Sequence, residues 1–336
     1  MTMDNILRYD AEQRRRLFAE ASARLDMGAA SIEKDFWVCW TLRELFRLPG
    51  WENAFTFKGG TSLSKGWHLI SRFSEDLDVV IGRAFLGYGE ENMSRNQRDR
   101  LRDACRQHIQ EVLLPALRQH LHECLPTALD WNLISADVME DREQLTLLLR
   151  YPALFASSTG YLRPVVKMEF GGRADTEPVE MPTILPYLAE ALPTIVTDGD
   201  FTVRTVAARR TFWEKALLLH EEKLRPVTHT RKVRLARHYY DLWCLIGHGI
   251  ARQAIDDPGL FERVVQHRQV FYKQSGIDYN TLRRGALDVI PTPEQMPAWQ
   301  QDFDAMREVM FFEEPPTFDE IIARVQLFQD EFNGVP

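Results

Sequence analysis

Two glycines and two aspartates in a set order constrain this chain more than any other feature. A short β-like run, Ala54-Phe-Thr-Phe57, stops at Lys58-Gly59-Gly60, where glycine lets the backbone turn sharply or approach a ligand closely. Residues 61–70 fit a short helix, and the apolar run Leu77–Ile81 is a candidate buried strand that carries one acid, Asp78. Sixteen positions lead from Gly60 to Asp76, room for one short helix between two neighbouring strands. The glycine turn and the acids can then face each other.

The remaining pattern extends this unit on both sides. The first 50 residues read as helices, with Ser31 placed to cap a helix over 32–48 in which Ile32, Phe36 and Trp40 share a face. Residues 95–124 form a long amphipathic helix kinked near Pro115. Three strands are expected over 129–138, 144–151 and 161–170, the last alternating Val165, Lys167, Glu169 with Val166, Met168, Phe170. After a stretch with Pro and Gly (178–199) and a short strand near 201–206, helices follow, clearest over 211–224 and 232–247. The expected class is α+β: N-terminal helices (1–50) packed on an α+β lobe with a mixed sheet (51–207), then a C-terminal helical lobe (208–336).

Composition narrows the partners. At 336 residues the chain suits two lobes, and its net charge of −8 lies wholly in the last 43 residues, which hold ten acids and two bases. The body is therefore neutral, and net charge does not forbid it a nucleotide or nucleic-acid ligand. The four cysteines stand far apart with no CxxC pair, and the nine histidines form no ligand-spaced cluster with acids, so no zinc site or disulfide framework is expected. No segment approaches the ~20 apolar residues of a bilayer span, which excludes a membrane role and points to a reducing cytoplasm.

Asp76 and Asp78, two apart in an extended segment, point the same way and can share a cation. Mg²⁺ takes one or two carboxylates plus substrate phosphates, and two such ions can clamp a phosphoryl displacement. Glu169 offers a third carboxylate from another strand, and Lys167, on the same face, can hold that acid ionised or touch a phosphate. Gly59, Gly60, Thr61 and Ser62 open a helix and offer backbone N–H groups and small hydroxyls to a triphosphate. No Gly-Lys-[Ser/Thr] at P-loop spacing is present, so this is not a Walker loop.

Phe57-Lys-Gly-Gly-Thr-Ser-Leu-Ser-Lys65, followed by Arg72-Phe-Ser-Glu-Asp-Leu-Asp-Val79, resembles the signature of the AbiEii/MenT toxins, a branch of the DNA polymerase β-like nucleotidyltransferases. Ile32-Glu-Lys-Asp-Phe-Trp37, Val166-Lys-Met-Glu-Phe170, Glu214-Lys215 and Arg237-His-Tyr-Tyr-Asp-Leu242 agree in order, so the likeness spans roughly residues 30 to 245. Some relatives place two adjacent acids after a Gly-Ser, whereas here Thr61-Ser62 follow the glycine and Leu77 splits the acids. The resemblance implies a bilobed fold, an NTP donor, Mg²⁺ or Mn²⁺, a growth-inhibiting role in type IV-like toxin–antitoxin or abortive-infection systems, and a cognate antitoxin. In the MenT branch it implies tRNA as acceptor.

The expected chemistry is attack of an acceptor hydroxyl on the α-phosphate of an NTP, with pyrophosphate leaving. The resemblance sets Lys215 against the nucleotide phosphates and Asp241 later in the site, with Lys65, Lys167 and Arg237 as further nucleotide-binding cations. Asp241, in the aromatic run around Tyr239 and Trp243, reads either as a salt-bridge partner of Lys215 or Arg237 or as a catalytic base or Lys-orienting acid. The cations Lys223, Arg225, Arg231, Lys232, Arg234 and Arg237, uninterrupted by acid, read as a solvated face or as a receiver of RNA backbone. Two rival readings are a kinase-like phosphotransferase and a catalytically silent nucleotide-binding regulator. The acidic tail is expected either to pack its apolar side on the helical lobe or to steer RNA by repulsion.

Overall fold

The computed structural model describes residues 1–89, 93–155, 163–226, 228–311 and 313–334. The expected strand over 161–170 therefore begins with two residues outside the described set, as do the last residue of the tail helix expected over 300–312 and Val227 of the basic run. The chain divides into two compact units, one built from Met1–Trp67 with Ser74–Thr205, the other from His68–Phe73 with the chain from Val206 onward.

The strands are β1 (Phe55–Lys58), β2 (Leu77–Ile81), β3 (Asn132–Ser135), β4 (Thr146–Arg150), β5 (Val165–Gly171), β6 (Val179–Glu180), β7 (Thr183–Ile184), β8 (Phe201–Thr202) and β9 (Thr205–Val206). Seven make one mixed sheet in the order β3-β4-β5-β2-β1-β9-β6, and β7 with β8 make a small second one. β1 runs antiparallel to β2, while β2 runs parallel to β5, so the two acidic strands lie side by side at the sheet's centre. On β5 Val166, Met168 and Phe170 are buried while Lys167 and Glu169 share the other, half-exposed face, the alternation a one-sided strand requires.

The first unit's helices are α1 (Met3–Leu7), α2 (Ala11–Leu25), α3 (Ala29–Phe46), the short α4 (Gly59–Thr61) running on as a π turn over Ser62–Gly66, α5 (Arg95–Gln107), α6 (Leu114–Cys124) and α7 (Tyr187–Ala191). Helix α3 begins a turn earlier than expected: Gly28 takes the N-cap position and Ser31 lies inside the helix rather than capping it. Every residue from Ile32 to Leu45 is buried, so α3 is a central helix, not an amphipathic surface one. Its Trp37 stacks on Tyr151 at 5.1 Å and meets Trp40 edge-on at 5.8 Å. The irregularity expected at Pro115 falls just before it, as a π turn over His108–Leu113 within one continuous helical run from α5 into α6.

The second unit holds α8 (Ala208–Lys223), α9 (Arg237–Gly247), α10 (Ile250–Ile255), α11 (Pro258–Phe271), α12 (Met296–Met310) and α13 (Phe318–Asn333). Its core is aromatic, with Phe212 edge-on to Phe328 at 4.9 Å and Trp213 within 5.0 Å of Phe332. Helix α9 starts five residues later than its periodicity predicts, because the preceding turn is held by Asp302, which accepts the Arg234 and Ala236 N–H groups at 2.6 and 2.8 Å. The tail is packed: Phe303, Met306, Met310, Ile321, Val325 and Phe328 are all buried, and Thr317 and Glu320 form a capping box at the start of α13. Among the described residues, no helix is long and apolar enough to cross a membrane.

Trp37→Ala should remove a fully buried ring and leave a cavity among Phe36, Trp40 and Tyr151, lowering unfolding free energy by about 3–5 kcal/mol. Urea titration followed by far-ultraviolet circular dichroism measures it; a loss below about 1 kcal/mol would show that α3 is not the core element described.

Candidate active site

The glycine turn and the acidic strand meet at one atom-sized gap. Gly59 adopts φ +82°, a left-handed conformation that other residues rarely take, and a Cβ built on it would lie 2.0 Å from Asp78 Oδ2. The Asp78 carboxylate thus rests over the Gly59 backbone where any other residue would carry its side chain. The sheet register accounts for this: Asp78 pairs with Lys58 on β1 and with Glu169 on β5, so strand pairing alone brings the glycine turn and two acids to one edge of the central strands.

The turn is locked by its own hydroxyls. Thr61 Oγ1 donates to the Asp76 carbonyl at 2.6 Å and lies 2.9 Å from Ser74 Oγ, while Ser62 Oγ donates to the Gly59 carbonyl at 2.8 Å. Both side chains are buried. The hydroxyls expected to meet phosphate are therefore spent on carbonyls, and Thr61 instead fixes the backbone of Asp76.

On β5 the Lys167 ammonium pairs with Glu169 Oε1. Burial works against the charge on Lys167, but Glu169, Asp76 and Asp78 outweigh it and raise the pKa above its ordinary value. A cation is thus already stabilised by these acids, which is an electrostatic field that fits a divalent ion. Asp76, Asp78 and Glu169 are not, among the described residues, a group whose donor atoms all lie within 4.8 Å of one another. The arrangement matches an ion held by one or two carboxylates, with water and phosphate as its other ligands.

Residues behind this edge had no role in the sequence reading beyond the motif that contained them. The central helix α3 carries Glu33, Lys34 and Asp35 into the core, and each reaches a different part of the unit. Glu33 accepts the Leu154 and Phe155 N–H groups; Lys34 donates to the Arg163 and Val165 carbonyls at the head of β5 and pairs with Glu75 at 3.0 Å; Asp35 accepts the Tyr187 N–H at 2.7 Å. Lys65 belongs to this brace rather than to an open surface, since it pairs with Asp35 at 2.7 Å and lies 3.5 Å over the Tyr187 ring. Burial would lower the Lys65 pKa, yet Asp35 above all holds it well up. Three consecutive charges just before the apolar run Phe36–Trp40 of this helix were the available signal.

The second unit gathers Arg72, Lys215, His238 and Asp241. Arg72 grips Asp241 with both arms of its guanidinium, at 2.7 and 2.8 Å, and Lys215 Nζ reaches the same carboxylate at 2.8 Å and His238 Nδ1 at 3.3 Å. Of the two partners expected for Asp241, Lys215 is found; Arg237 is not the ion-pair partner that sequence offered, and Arg72 takes that place. Burial would raise the Asp241 pKa, but Arg72 and Lys215 prevail and hold it far below the usual carboxylate range, which makes it a poor proton acceptor and a good anchor for Lys215. Two cations on one carboxylate, with a neutral imidazole, leave a net positive charge. Much of the basic run is occupied: Lys223 pairs with Asp288, Arg225 with Glu222, and Arg231 lies over the Trp299 ring at 5.0 Å.

Comparison with known proteins gives the family. The family described as nucleotidyl transferase AbiEii toxin, type IV toxin–antitoxin system, matches residues 40–324. The chain belongs to that family. Among solved structures it is similar to MenT4, a nucleotidyltransferase toxin from Mycobacterium tuberculosis H37Rv, at 17% identity and TM-score 0.44 over 93% of this chain and 88% of that one. It is also similar to a Helicobacter pylori protein described as a putative nucleotidyltransferase, at 15% identity and TM-score 0.35 over 88% of this chain and 95% of that one. A search of curated proteins finds no match.

His238 and His220 should make the fold acid-sensitive. Burial pushes both pKa values down, for His238 with help from Lys215 and Arg237, and His220 Nδ1 accepts the Asp288 N–H, which fixes the ring as neutral. The unfolded chain takes up these protons near pH 6.5 while the folded chain resists them, so stability should fall by at least about 1 kcal/mol as pH drops below that value. Urea titrations at pH 7.5 and 5.5 measure the slope, and His238→Gln should flatten it. An unchanged slope in that variant would remove His238 from the account.

Proposed function

We propose that this protein transfers a nucleoside monophosphate from an NTP to an acceptor hydroxyl, as a growth-inhibiting toxin neutralised by a cognate antitoxin. The observation that carries the reading is the seating of the Asp78 carboxylate over Gly59, with Glu169 beside it in register. The first unit is then a polymerase β-like nucleotidyltransferase core, and the second is its helical lobe.

Asp76 and Asp78 offer carboxylates for Mg²⁺, and Glu169 is the third candidate. When bound, the ion would stabilise charge on the reacting oxygens and on the leaving pyrophosphate. Gly59 and Gly60 keep the turn free of side chains so that phosphate can approach the backbone. Lys167 pairs with Glu169. The resemblance assigns Lys215, fixed here by Asp241, to the nucleotide phosphates, and Arg72 keeps Asp241 ionised. RNA is the acceptor class that the resemblance of the motifs implies, with tRNA first among RNAs; a protein hydroxyl is the other acceptor to be tested.

The purified chain should be incubated with Mg²⁺, total RNA and each NTP labelled at either the α- or the γ-phosphate. Transfer of α-label with release of pyrophosphate supports the proposal. Transfer of γ-label would replace it with a phosphotransferase, and nucleotide binding without transfer of either label would replace it with a regulator.

Asp76→Asn and Asp78→Asn should each lower transfer on the order of 10²–10³-fold while the melting temperature barely changes, because each keeps the shape and removes a charge. Full activity in both variants would overturn the metal assignment. Lys215→Ala should reduce kcat more than it raises KM, since a cation set against developing charge counts most in the transition state. A change confined to KM would assign Lys215 to binding alone.

A further inference from the structure

Far along the sequence from the glycine turn, Glu44 on α3 meets His120 and Cys124 on α6. His120 Nε2 lies 2.9 Å from Glu44 Oε2, Cys124 Sγ lies 3.4 Å from the same oxygen, and Cys124 Sγ lies 3.7 Å from His120 Nε2. Among the described residues this is the one group of three such side chains whose ligand atoms all lie within 4.8 Å of one another. It corrects the expectation that no histidine or cysteine joins an acid in a ligand-spaced cluster. His120 and Cys124 are four apart on one helix face, a spacing the sequence offered, but Glu44 comes from 76 residues away.

We propose that Glu44, His120 and Cys124 bind a borderline-soft divalent transition metal, Zn²⁺ being the chemical match, and so clamp α3 to α6. Oxygen, nitrogen and sulfur placed around tetrahedral Zn²⁺ at about 2.0–2.2, 2.0–2.1 and 2.3 Å stand roughly 3.3–3.6 Å apart. The three observed separations lie within a few tenths of an ångström of that triangle. The outer contacts fit as well: Arg43 Nε holds Glu44 Oε1 at 2.7 Å and is itself held by Asp4, which leaves Oε2 aimed at the other two ligands. Glutamate and thiolate would balance a dication. Glu44 is buried while His120 and Cys124 are only partly so, which leaves room for water at the fourth position.

Without the metal the thiol is a thiol: burial first, and Glu44 next, push its pKa up to about 12. Metal binding must therefore displace the Cys124 proton, and the proton that His120 Nε2 donates to Glu44 must leave that nitrogen, with Nδ1 carrying the ring's hydrogen instead, before Nε2 can ligate. Affinity should rise with pH. Mg²⁺, a hard ion, should not compete.

The test uses the full chain, reduced with a non-chelating phosphine, and Co²⁺ as a spectroscopic stand-in followed by Zn²⁺. The expected result is one equivalent bound, a thiolate-to-cobalt charge-transfer band, displacement of cobalt by Zn²⁺ but not by excess Mg²⁺, and a higher melting temperature with the metal. Cys124→Ser should abolish the band and His120→Gln should weaken binding at least on the order of 100-fold, the upper end of what outer-shell changes cost. Cys105→Ser and Asp76→Asn should keep the band, which separates this site from the glycine turn. Circular dichroism confirms that each variant is folded. A folded wild-type chain that shows no thiolate band, or a band that survives both Cys124→Ser and His120→Gln, would overturn the proposal.

Discussion

Two groups cannot occupy one volume, and the first unit is arranged around that fact. The Asp78 carboxylate sits where a side chain at residue 59 would begin, so the turn has to be glycine and the strand after it has to arrive in one register. A slip of one residue would turn Asp78 into the sheet's apolar side and Leu77 out of it. The buried Leu77, Val79 and Ile81 oppose such a slip, because they lose their place in the core if it occurs. Hydrophobic burial thereby positions a charged group it never touches.

That position also depends on charges buried behind it. Placing Glu33, Lys34 and Asp35 in the core costs solvation, and their mutual attraction does not restore it unless every remaining donor and acceptor is used. Here they are used on backbone: the heads of β5 and α7 and the loop at Leu154 each hang on one of the three side chains. Such polar anchors weigh on where segments lie more than on total stability. Lys34 shows the link to function, since its partner Glu75 is the residue immediately before Asp76.

What could be read from sequence was whatever local pattern determines. The strand Leu77–Ile81 matches its expected limits because a continuous apolar run between polar turns has few other uses. The alternation on β5 was legible for the same reason. Helix α7 was hidden in a stretch with Pro and Gly, since five residues give no periodicity to detect. The early start expected for α9 failed because a side chain 66 residues away, Asp302, took the N–H of Ala236 for a turn. The Gly59 and Asp78 pairing was legible as proximity but not as contact. Arg72 with Asp241, 169 residues apart, and Glu44 with His120, 76 apart, could not be found without the fold.

The three aspartates that sequence singled out end in two physical situations, and the difference decides what each can do. Asp78 lies half-buried on a central strand of the sheet, near Lys167, a cation that carries more acid around it than it needs. Asp76 adds to the same field. Asp241 is fully buried with Arg72 and Lys215 already on both oxygens. Its lone pairs are committed and its proton affinity is suppressed, so it acts on the rest of the molecule only through the cations it holds. A carboxylate's chemistry therefore follows from what else its oxygens must satisfy. By that measure the half-buried Asp76 and Asp78 remain the candidates for holding an ion, and the buried Asp241 keeps a lysine in place.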